Sequence, residues 1–255
     1  MNYLNKILIT VLIIVVGSSL LSASEQTGKV RTFKNVNGVA ILGSGDAKIV
    51  HGNKNEVSIH APAEFLPYLI TEVDGGTLEI GKRKKGFNKK FRITEPIKYR
   101  IIVKDIDHLK IAGSGNINAD KLYGDKCYVK VSGSGNISLD DIDGDKTTIS
   151  VSGSGDIEVN KVYSDELSVT ISGSGDIEVG GEVDELDLTI SGSGDFDAAN
   201  LNTDKATVNV YGSGDATFRC RDDLQAFITG SGDVTCYGNP SVRSRTTGSG
   251  DVTIR

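Results

Sequence analysis

The sequence predicts an all-β fold, a parallel β-helix with coils of about 20 residues. Two observations predict it. The tetrapeptide Gly-Ser-Gly-Asp, or Gly-Ser-Gly-Asn, recurs at nearly constant spacing, and apolar and polar residues alternate on both sides of it. Each repeat is too short to bury its own apolar side, so successive repeats must stack. Right-handed crossovers are the usual preference for parallel strands, and we therefore expect a right-handed solenoid.

The nine copies of the tetrapeptide divide the chain into two parts. From the second copy onward, successive copies lie 20, 20, 20, 19, 20, 18 and 18 residues apart. We expect one β-helical domain over residues 25–255, with regular repeats over 113–255 and irregular opening coils with insertions over 25–112. The copies begin at Gly43, Gly113, Gly133, Gly153, Gly173, Gly192, Gly212, Gly230 and Gly248.

The alternation around the copy at Gly153 predicts which residues of a repeat are buried. A strand directs successive side chains to opposite sides, so the aliphatic residues share one side and the polar residues share the other. Equivalent residues of neighbouring repeats then stack as aliphatic ladders. The predicted inward residues are Ile149, Val151, Ile157 and Val159, and the predicted outward residues are Ser150, Ser152, Ser154, Asp156 and Glu158.

Both glycines of the tetrapeptide fall on the inward parity, and we expect them to form a corner of the coil, where a missing side chain permits a sharp bend. Turn residues beyond the second strand surround one apolar residue, such as Ile142, Val162 or Leu201, which we expect under the returning chain. Ser244 and Thr246 replace the aliphatic pair before the last copy. The last coil is therefore predicted to have a weaker core and to act as a cap.

The first 24 residues are typical of a secretory signal peptide. Lys6 precedes an apolar run over residues 7–16, and small residues follow up to Ser24. A membrane anchor is the alternative, but ten strongly apolar residues are too few to span a bilayer. We expect cleavage, no stable membrane span and an extracytoplasmic protein that is periplasmic, on the cell surface or secreted.

The charge distribution excludes one class of partner. The net charge is −6, and nucleic acid phosphates require a broad basic surface, so we expect no nucleic acid partner. The basic residues before the regular repeats are interpreted as a solvated loop between two strands, with an anion-binding patch as the alternative. These residues are Lys82, Arg83, Lys84, Lys85, Lys89, Lys90 and Arg92.

Four segments carry a resemblance to a known family. They are residues 39–46 (VAILGSGD), 76–80 (GTLEI), 109–116 (LKIAGSGN) and 237–240 (YGNP). With the nine tetrapeptides in register, the sequence resembles the head GIN domain family of autotransporter adhesins over essentially the whole mature chain. The resemblance implies a β-helical extracytoplasmic protein with no established enzymatic activity.

The aspartates of the tetrapeptides form the main candidate site. Stacked coils would place their carboxylates about 4.8 Å apart, where they repel one another and where calcium could bind. Asn116 and Asn136 hold the same position in two coils, and an amide keeps the turn hydrogen bonds of aspartate without its charge. We therefore interpret the column as turn residues and expect no metal and no cofactor. The column contains Asp156, Asp176, Asp195, Asp215, Asp233 and Asp251.

Two exposed tyrosines form a weaker candidate for binding. Tyr123 and Tyr163 share a register two coils apart and could mark a small platform for a ligand. The chain has no tryptophan, which weakens the case for sugar stacking. Protein or glycan of the cell envelope is the expected class of partner.

A polysaccharide lyase or hydrolase is the alternative function, because such enzymes place aspartates on β-helix surfaces. Here aspartate and serine recur evenly, as scaffold residues do, and only Arg219 and Arg221 could join the aspartates of their coils. His60 and His108 lie in strand contexts and are interpreted as partly buried rings. We expect a noncatalytic scaffold for adhesion or interaction, with no catalytic residue.

The cysteines are predicted to be free thiols. Cys236 falls on the inward position that Phe218 occupies one coil earlier, while Cys220 lies two residues further on, and Cys127 is several coils away. The offset places the Cα atoms of Cys220 and Cys236 about 8 Å apart, beyond the reach of an unstrained disulfide of about 7 Å.

Overall fold

The structure, a computed structural model, describes residues 26–82 and 96–255, so the predicted signal peptide and all of the basic stretch beyond Lys82 lie outside the described residues. Strands dominate these described residues, which also contain a 3-10 helix at Leu66–Tyr68. The strands are β1 (Gln26–Thr32), β2 (Gly38–Gly43), β3 (Asp46–His51), β4 (Glu56–Pro62), β5 (Leu69–Asp74), β6 (Thr77–Lys82), β7 (Lys98–Val103), β8 (His108–Gly113), β9 (Asn116–Tyr123), β10 (Lys126–Gly133), β11 (Ile137–Asp143), β12 (Lys146–Gly153), β13 (Ile157–Gly173), β14 (Ile177–Gly192), β15 (Phe196–Gly212), β16 (Ala216–Gly230), β17 (Val234–Tyr237), β18 (Ser241–Gly248) and β19 (Val252–Ile254).

Parallel pairing stacks these strands into a β-solenoid with coils about 20 residues apart, which confirms the predicted fold class. Each coil has three sides. In β13, residues 157–159 form the middle side, 162–164 the short side and 166–173 the long side, and each segment pairs with its equivalent in β14. The Gly-Ser-Gly corner joins the long side of one coil to the middle side of the next.

The long side is paired without a register shift from β8 to β18. Its strands follow the order β8, β10, β12, β13, β14, β15, β16 and β18. Register shifts in β13 to β16 occur instead at the corners between sides: between the middle and short sides, as between Val159 and Val162, and in β15 also between the short and long sides. The outward side chains of the long side therefore form straight columns across neighbouring coils, about 4.8 Å apart.

The interior is a continuous aliphatic core with the predicted parity. Val151 and Ile157 are fully buried, whereas Ser152 and Asp156 are exposed. Stacking lets each coil bury its apolar side against both neighbours, which none could do alone. All predicted core residues of this region are buried, namely Ile142, Ile149, Val151, Ile157, Val159, Val162 and Leu201.

The corner glycines are required for a reason beyond the predicted sharp bend. Gly153 has a φ of +132°, and a Cβ atom there would lie closer than 3.0 Å to the carbonyl oxygen of Gly133 in the preceding coil. Gly155, the second glycine of the same corner, is buried against the backbone of Gly135 in the same way. The corners stack backbone on backbone, so a side chain has no space there.

The first coil in sequence is not the first coil in space. Strands β2 and β3 pair on one side with β8 and β9, and on the other side with β6 and β7. The later strands β6 and β7 therefore form a coil outside the earlier one. Antiparallel pairing of β4 with β7, of β1 with β4 and of β5 with β6 then covers this end, in contrast to the all-parallel expectation. Such additions protect strand edges that would otherwise be open.

The opposite end is a thin cap, as predicted. Every residue of β18 is exposed, and Ser244 and Thr246 stand in register with Ala226 and Ile228 of the preceding coil. Polar residues on the core positions close the aliphatic ladder at this end.

Candidate binding surfaces

The aspartate column is a ladder of hydrogen bonds between coils. The Oδ1 atom of Asp156 accepts the backbone N–H of Asp176 at 2.9 Å, and Asp195 and Asp215 accept the corresponding N–H of the next coil at 2.8 and 2.7 Å. Asn136 makes the same bond to Asp156 at 2.9 Å. The amide thus replaces the carboxylate without losing the bond. These bonds join neighbouring coils and are not the bonds within a turn that the sequence predicted.

The middle side of three consecutive coils carries pairs of carboxylates. In each of these coils, the column aspartate is followed two residues later by a second exposed acidic residue. No group of His, Cys, Asp and Glu side chains in residues 26–82 and 96–255 has the arrangement of a metal site. The three acidic pairs are Asp156 with Glu158, Asp176 with Glu178, and Asp195 with Asp197.

The two arginines considered for catalysis bond away from the aspartate column. Arg219 donates from Nε to the carbonyl oxygen of Ala199 at 2.6 Å, and its guanidinium lies 5.2 Å from the ring centroid of Tyr237. Arg221 donates to the carboxylate of Asp204 at 2.6 Å. The two arginines are close to the column in sequence, but these bonds do not reach its aspartates.

Tyr123 and Tyr163 lie on the short side and are about half exposed, at 57% and 49%. Both are in register with Asp143, which lies between them. Lys121 lies 3.4 Å from the Asp143 carboxylate and 5.8 Å from the ring centroid of Tyr123. A charged pair therefore separates the two rings, and they do not form one aromatic platform.

Two exposed aromatic residues on the long side were not predicted from the sequence as candidate binding residues. Tyr211 is 50% exposed and Phe227 is 42% exposed. They occupy adjacent coils on neighbouring outward columns, because Tyr211 is in register with Thr229 and Phe227 with Asn209. Strict alternation with the buried Ala226 and Ile228 is the signal that could have identified Phe227 as outward.

A polar groove of about 660 Å³ lies beside these aromatic residues, at the beginning of the long-side strands. Its walls are formed by outward side chains of β13, β14, β15, β16 and β18. The other lining residues are Leu167, Leu186, Ala206 and Leu224, whose side chains are buried in the core. Among these walls, Lys205 lies 3.4 Å from Glu185. The polar lining residues are Glu166, Ser168, Glu185, Asp187, Lys205, Thr207, Asp223, Gln225, Ser241 and Arg243.

His108 forms a hydroxyl–imidazole–carboxylate chain at the other end of the long side. Its Nε2 lies 2.8 Å from Thr77 Oγ1, and its Nδ1 lies 2.5 Å from Asp107 Oδ1. Gly38 is in register between Thr77 and His108, and the imidazole fills the space that a side chain at position 38 would take. The imidazole thus packs where a side chain at position 38 would otherwise lie, as expected for a partly buried histidine.

The other two histidines differ from each other. His51 bonds to Asp120 through both its backbone N–H and its Nδ1, each at 2.8 Å. Burial acts to raise the pKa of Asp120, but the hydrogen bonds from His51 together hold that pKa below its usual range. His60 is exposed on β4, so the expectation of a partly buried ring was wrong for this residue: it lies on the outward parity of its strand.

Cys220 and Cys236 lie in the core on the neighbouring strands β16 and β17, and the Sγ atom of Cys220 donates to the carbonyl oxygens of Asp204 and Asp223 at 3.3 and 3.2 Å. Phe218 is in register with Cys236, as predicted, and all three cysteines are buried. Interaction between the two thiols raises the pKa of Cys236 and lowers that of Cys220. Burial raises the pKa of the third thiol, Cys127, to about 11.

The sequence of this protein matches a known protein family. The family described as "Putative auto-transporter adhesin, head GIN domain" matches residues 35–160 and 140–240. The chain belongs to the head GIN domain family. Among curated proteins, none matched this head GIN domain chain. In the described parts of the chain, no helix has the length and apolar character needed to cross a membrane.

Solved structures share the fold of this head GIN domain protein. A "putative lipid binding protein" from Parabacteroides distasonis is 29% identical with a TM-score of 0.80, over 89% of this chain and 96% of that one. A "putative adhesin" from the same organism is 25% identical with a TM-score of 0.83, over 91% and 98%. A "putative adhesin" from Parabacteroides merdae, 22% identical with a TM-score of 0.82 over 91% and 96%, shows the fold alone.

Proposed function

We propose that this protein is a noncatalytic adhesion scaffold that acts outside the cytoplasm and binds a glycan or protein of the bacterial cell envelope. The in-register long side carries the proposal, because it displays outward side chains in straight columns over successive coils. A surface that repeats along its length matches a partner that is extended or repetitive. Membership of an adhesin family supports the same role.

The chemistry of the described side chains also favours a scaffold over an enzyme. The Oδ1 atoms of the aspartate column are engaged in hydrogen bonds between coils, and His108 packs in the space above Gly38. These groups hold the coils together, whereas a catalytic acid or base must be free to reach a substrate proton.

Sedimentation with cell envelope fractions tests the proposal. The purified protein is mixed with insoluble envelope material that is untreated, oxidised with periodate to destroy glycans, or digested with protease. We expect the protein to sediment with the untreated material and one treatment to abolish this. The same samples are assayed for new reducing ends. Absence of sedimentation, or steady release of reducing ends, would overturn the proposal, and the second result would favour the polysaccharide-acting enzyme.

A further inference from the structure

We propose that the long side of the solenoid holds a neutral glycan in the polar groove and against the adjacent rings of Tyr211 and Phe227. The groove and the two rings lie on the same side of the same coils, because Gln225 lines the groove two residues before Phe227 on β16. This inference rests on the proposed adhesion function and specifies its surface and the class of its partner.

The rings are exposed where core packing does not require them. The side chain of Phe227 has no polar atom, yet it points outward. The preceding members of its column are polar, namely Ser150, Thr170, Thr189 and Asn209. The Cα atoms of Tyr211 and Phe227 are about 8 Å apart, one coil and two residues from each other. Aromatic faces carry negative charge density and attract the weakly positive C–H groups of a sugar ring.

The charge of the surface selects a neutral occupant. From β12 to β16, the two outward columns that contain the rings hold no ionisable group other than the phenol of Tyr211. In the first of these columns, Lys130 precedes Ser150 by one coil and Arg245 follows Phe227 by one coil. The columns are Ser150, Thr170, Thr189, Asn209 and Phe227, and Ser152, Ser172, Ser191, Tyr211 and Thr229.

The groove adds hydrogen-bonding groups and discriminates against acidic polymers. Its walls contain four carboxylates, those of Glu166, Glu185, Asp187 and Asp223, and two cations, those of Lys205 and Arg243. Lys146 lies 2.7 Å from Glu166 and reduces the excess of carboxylates to one. The excess of carboxylates repels uronate or phosphate groups. Carboxylates accept hydrogen bonds from sugar hydroxyls, and serine, threonine and glutamine side chains both donate and accept them.

Binding to defined polymers by variant proteins tests the inference. The probes are four neutral polysaccharides, namely cellulose, chitin, mannan and crosslinked dextran, with insoluble polygalacturonate and vesicles of phosphatidylethanolamine and phosphatidylglycerol as the acidic and lipid comparisons. We expect the protein to sediment with at least one neutral polymer, and added salt to leave this unchanged. The double variant Tyr211→Ala, Phe227→Ala should lose affinity by roughly tenfold or more.

Tyr163→Ala is the matched control, because Tyr163 is equally exposed but lies on the short side. Equal melting temperatures of the variants show that folding is not the cause of lost binding. Retention by none of the neutral polymers, retention by polygalacturonate or vesicles alone, or equal losses in the double variant and the control would overturn the inference. If the protein still sediments with envelope fractions in these cases, the adhesion function stands and only this surface is wrong.

Discussion

The Oδ1 atom of Asp176 accepts a hydrogen bond from the backbone N–H of Asp195 at 2.8 Å, so a side chain of one coil bonds the backbone of the next. Equivalent bonds run from Asn116 to Asp251. The side chain needs an oxygen at this position and does not need a charge, because Asn116 and Asn136 serve as well as aspartate.

Replacement of Asp195 should therefore separate the hydrogen bond from the charge. Asp195→Ala removes the acceptor for the N–H of Asp215 and should lower the free energy of unfolding by about 0.5–1.5 kcal/mol. Asp195→Asn keeps the acceptor and should cost less. Urea denaturation of both variants measures the difference, with Ser193→Ala in the same exposed corner as the control. Equal losses for the alanine and asparagine variants would show that charge matters more than the bond.

Calcium should have little effect on stability. The column tolerates asparagine at two positions and uses its Oδ1 atoms between coils, so a cation is not needed to hold the carboxylates together. We expect the melting temperature to be nearly the same in chelator and in millimolar calcium. A large rise with calcium that disappears in the double variant Asp195→Asn, Asp215→Asn would contradict the structural interpretation of the column.

The aliphatic ladder should be sensitive to small cavities. Val151 is fully buried between Val131 and Ile171 of the neighbouring coils. Val151→Ala should lower the free energy of unfolding by roughly 1–3 kcal/mol, through lost burial and the cavity that remains. Ser152→Ala, one residue further on and outward, should change it little. Denaturant titration compares the two variants, and similar effects would argue against the observed parity.

The corner glycines should tolerate alanine only where nothing stacks on them. Gly43 and Gly153 both have positive φ, at +114° and +132°. A Cβ atom at Gly153 would meet a carbonyl oxygen of a neighbouring coil, whereas one at Gly43 would meet no atom of residues 26–82 and 96–255 within 4 Å. Gly43→Ala should cost about 1–3 kcal/mol from backbone strain alone. Gly153→Ala should cost more or prevent folding. Thermal melts monitored by circular dichroism test this order, and an equal cost would exclude the stacking contact as the cause.

The three cysteines should be recovered as thiols. Cys236 is in register with Phe218, and Cys220 lies two residues further along its strand, so the backbone offset opposes a bridge. Alkylation of the unreduced, denatured protein followed by intact-mass measurement should show three labels. A single label would show that Cys220 and Cys236 are oxidised to a disulfide.

The regular coils could be predicted from the sequence, and the irregular end could not. Alternation fixed the inward side of Val151 and the outward side of Ser152 because each strand is short and one of its sides must be buried. The placement of β6 and β7 outside β2 and β3 depends on pairing between strands distant in sequence, for which the 70 residues between Gly43 and Gly113 hold no repeat signal.

The candidate surfaces were predicted less well than the fold. The aspartate column was visible as a repeat, and its role followed from the asparagines. Phe227 was not predicted because the repeat pattern identifies residues shared between coils, and Phe227 differs from the polar residues at the same position of the preceding coils. The contact of His108 with Thr77 was not predicted, because it requires Gly38 to be in register between these two residues. The local sequence does not determine strand register across an insertion.

The displaced coil has a consequence for the order in which the protein assembles. Strands β2 and β3 leave the ribosome before the strands that enclose them, which end at residue 103 on one side and at residue 123 on the other. Sequence-distant contacts form slowly, so the first coil must wait for both. The first coil to be made, formed by β2 and β3, therefore becomes an inner layer of the finished protein.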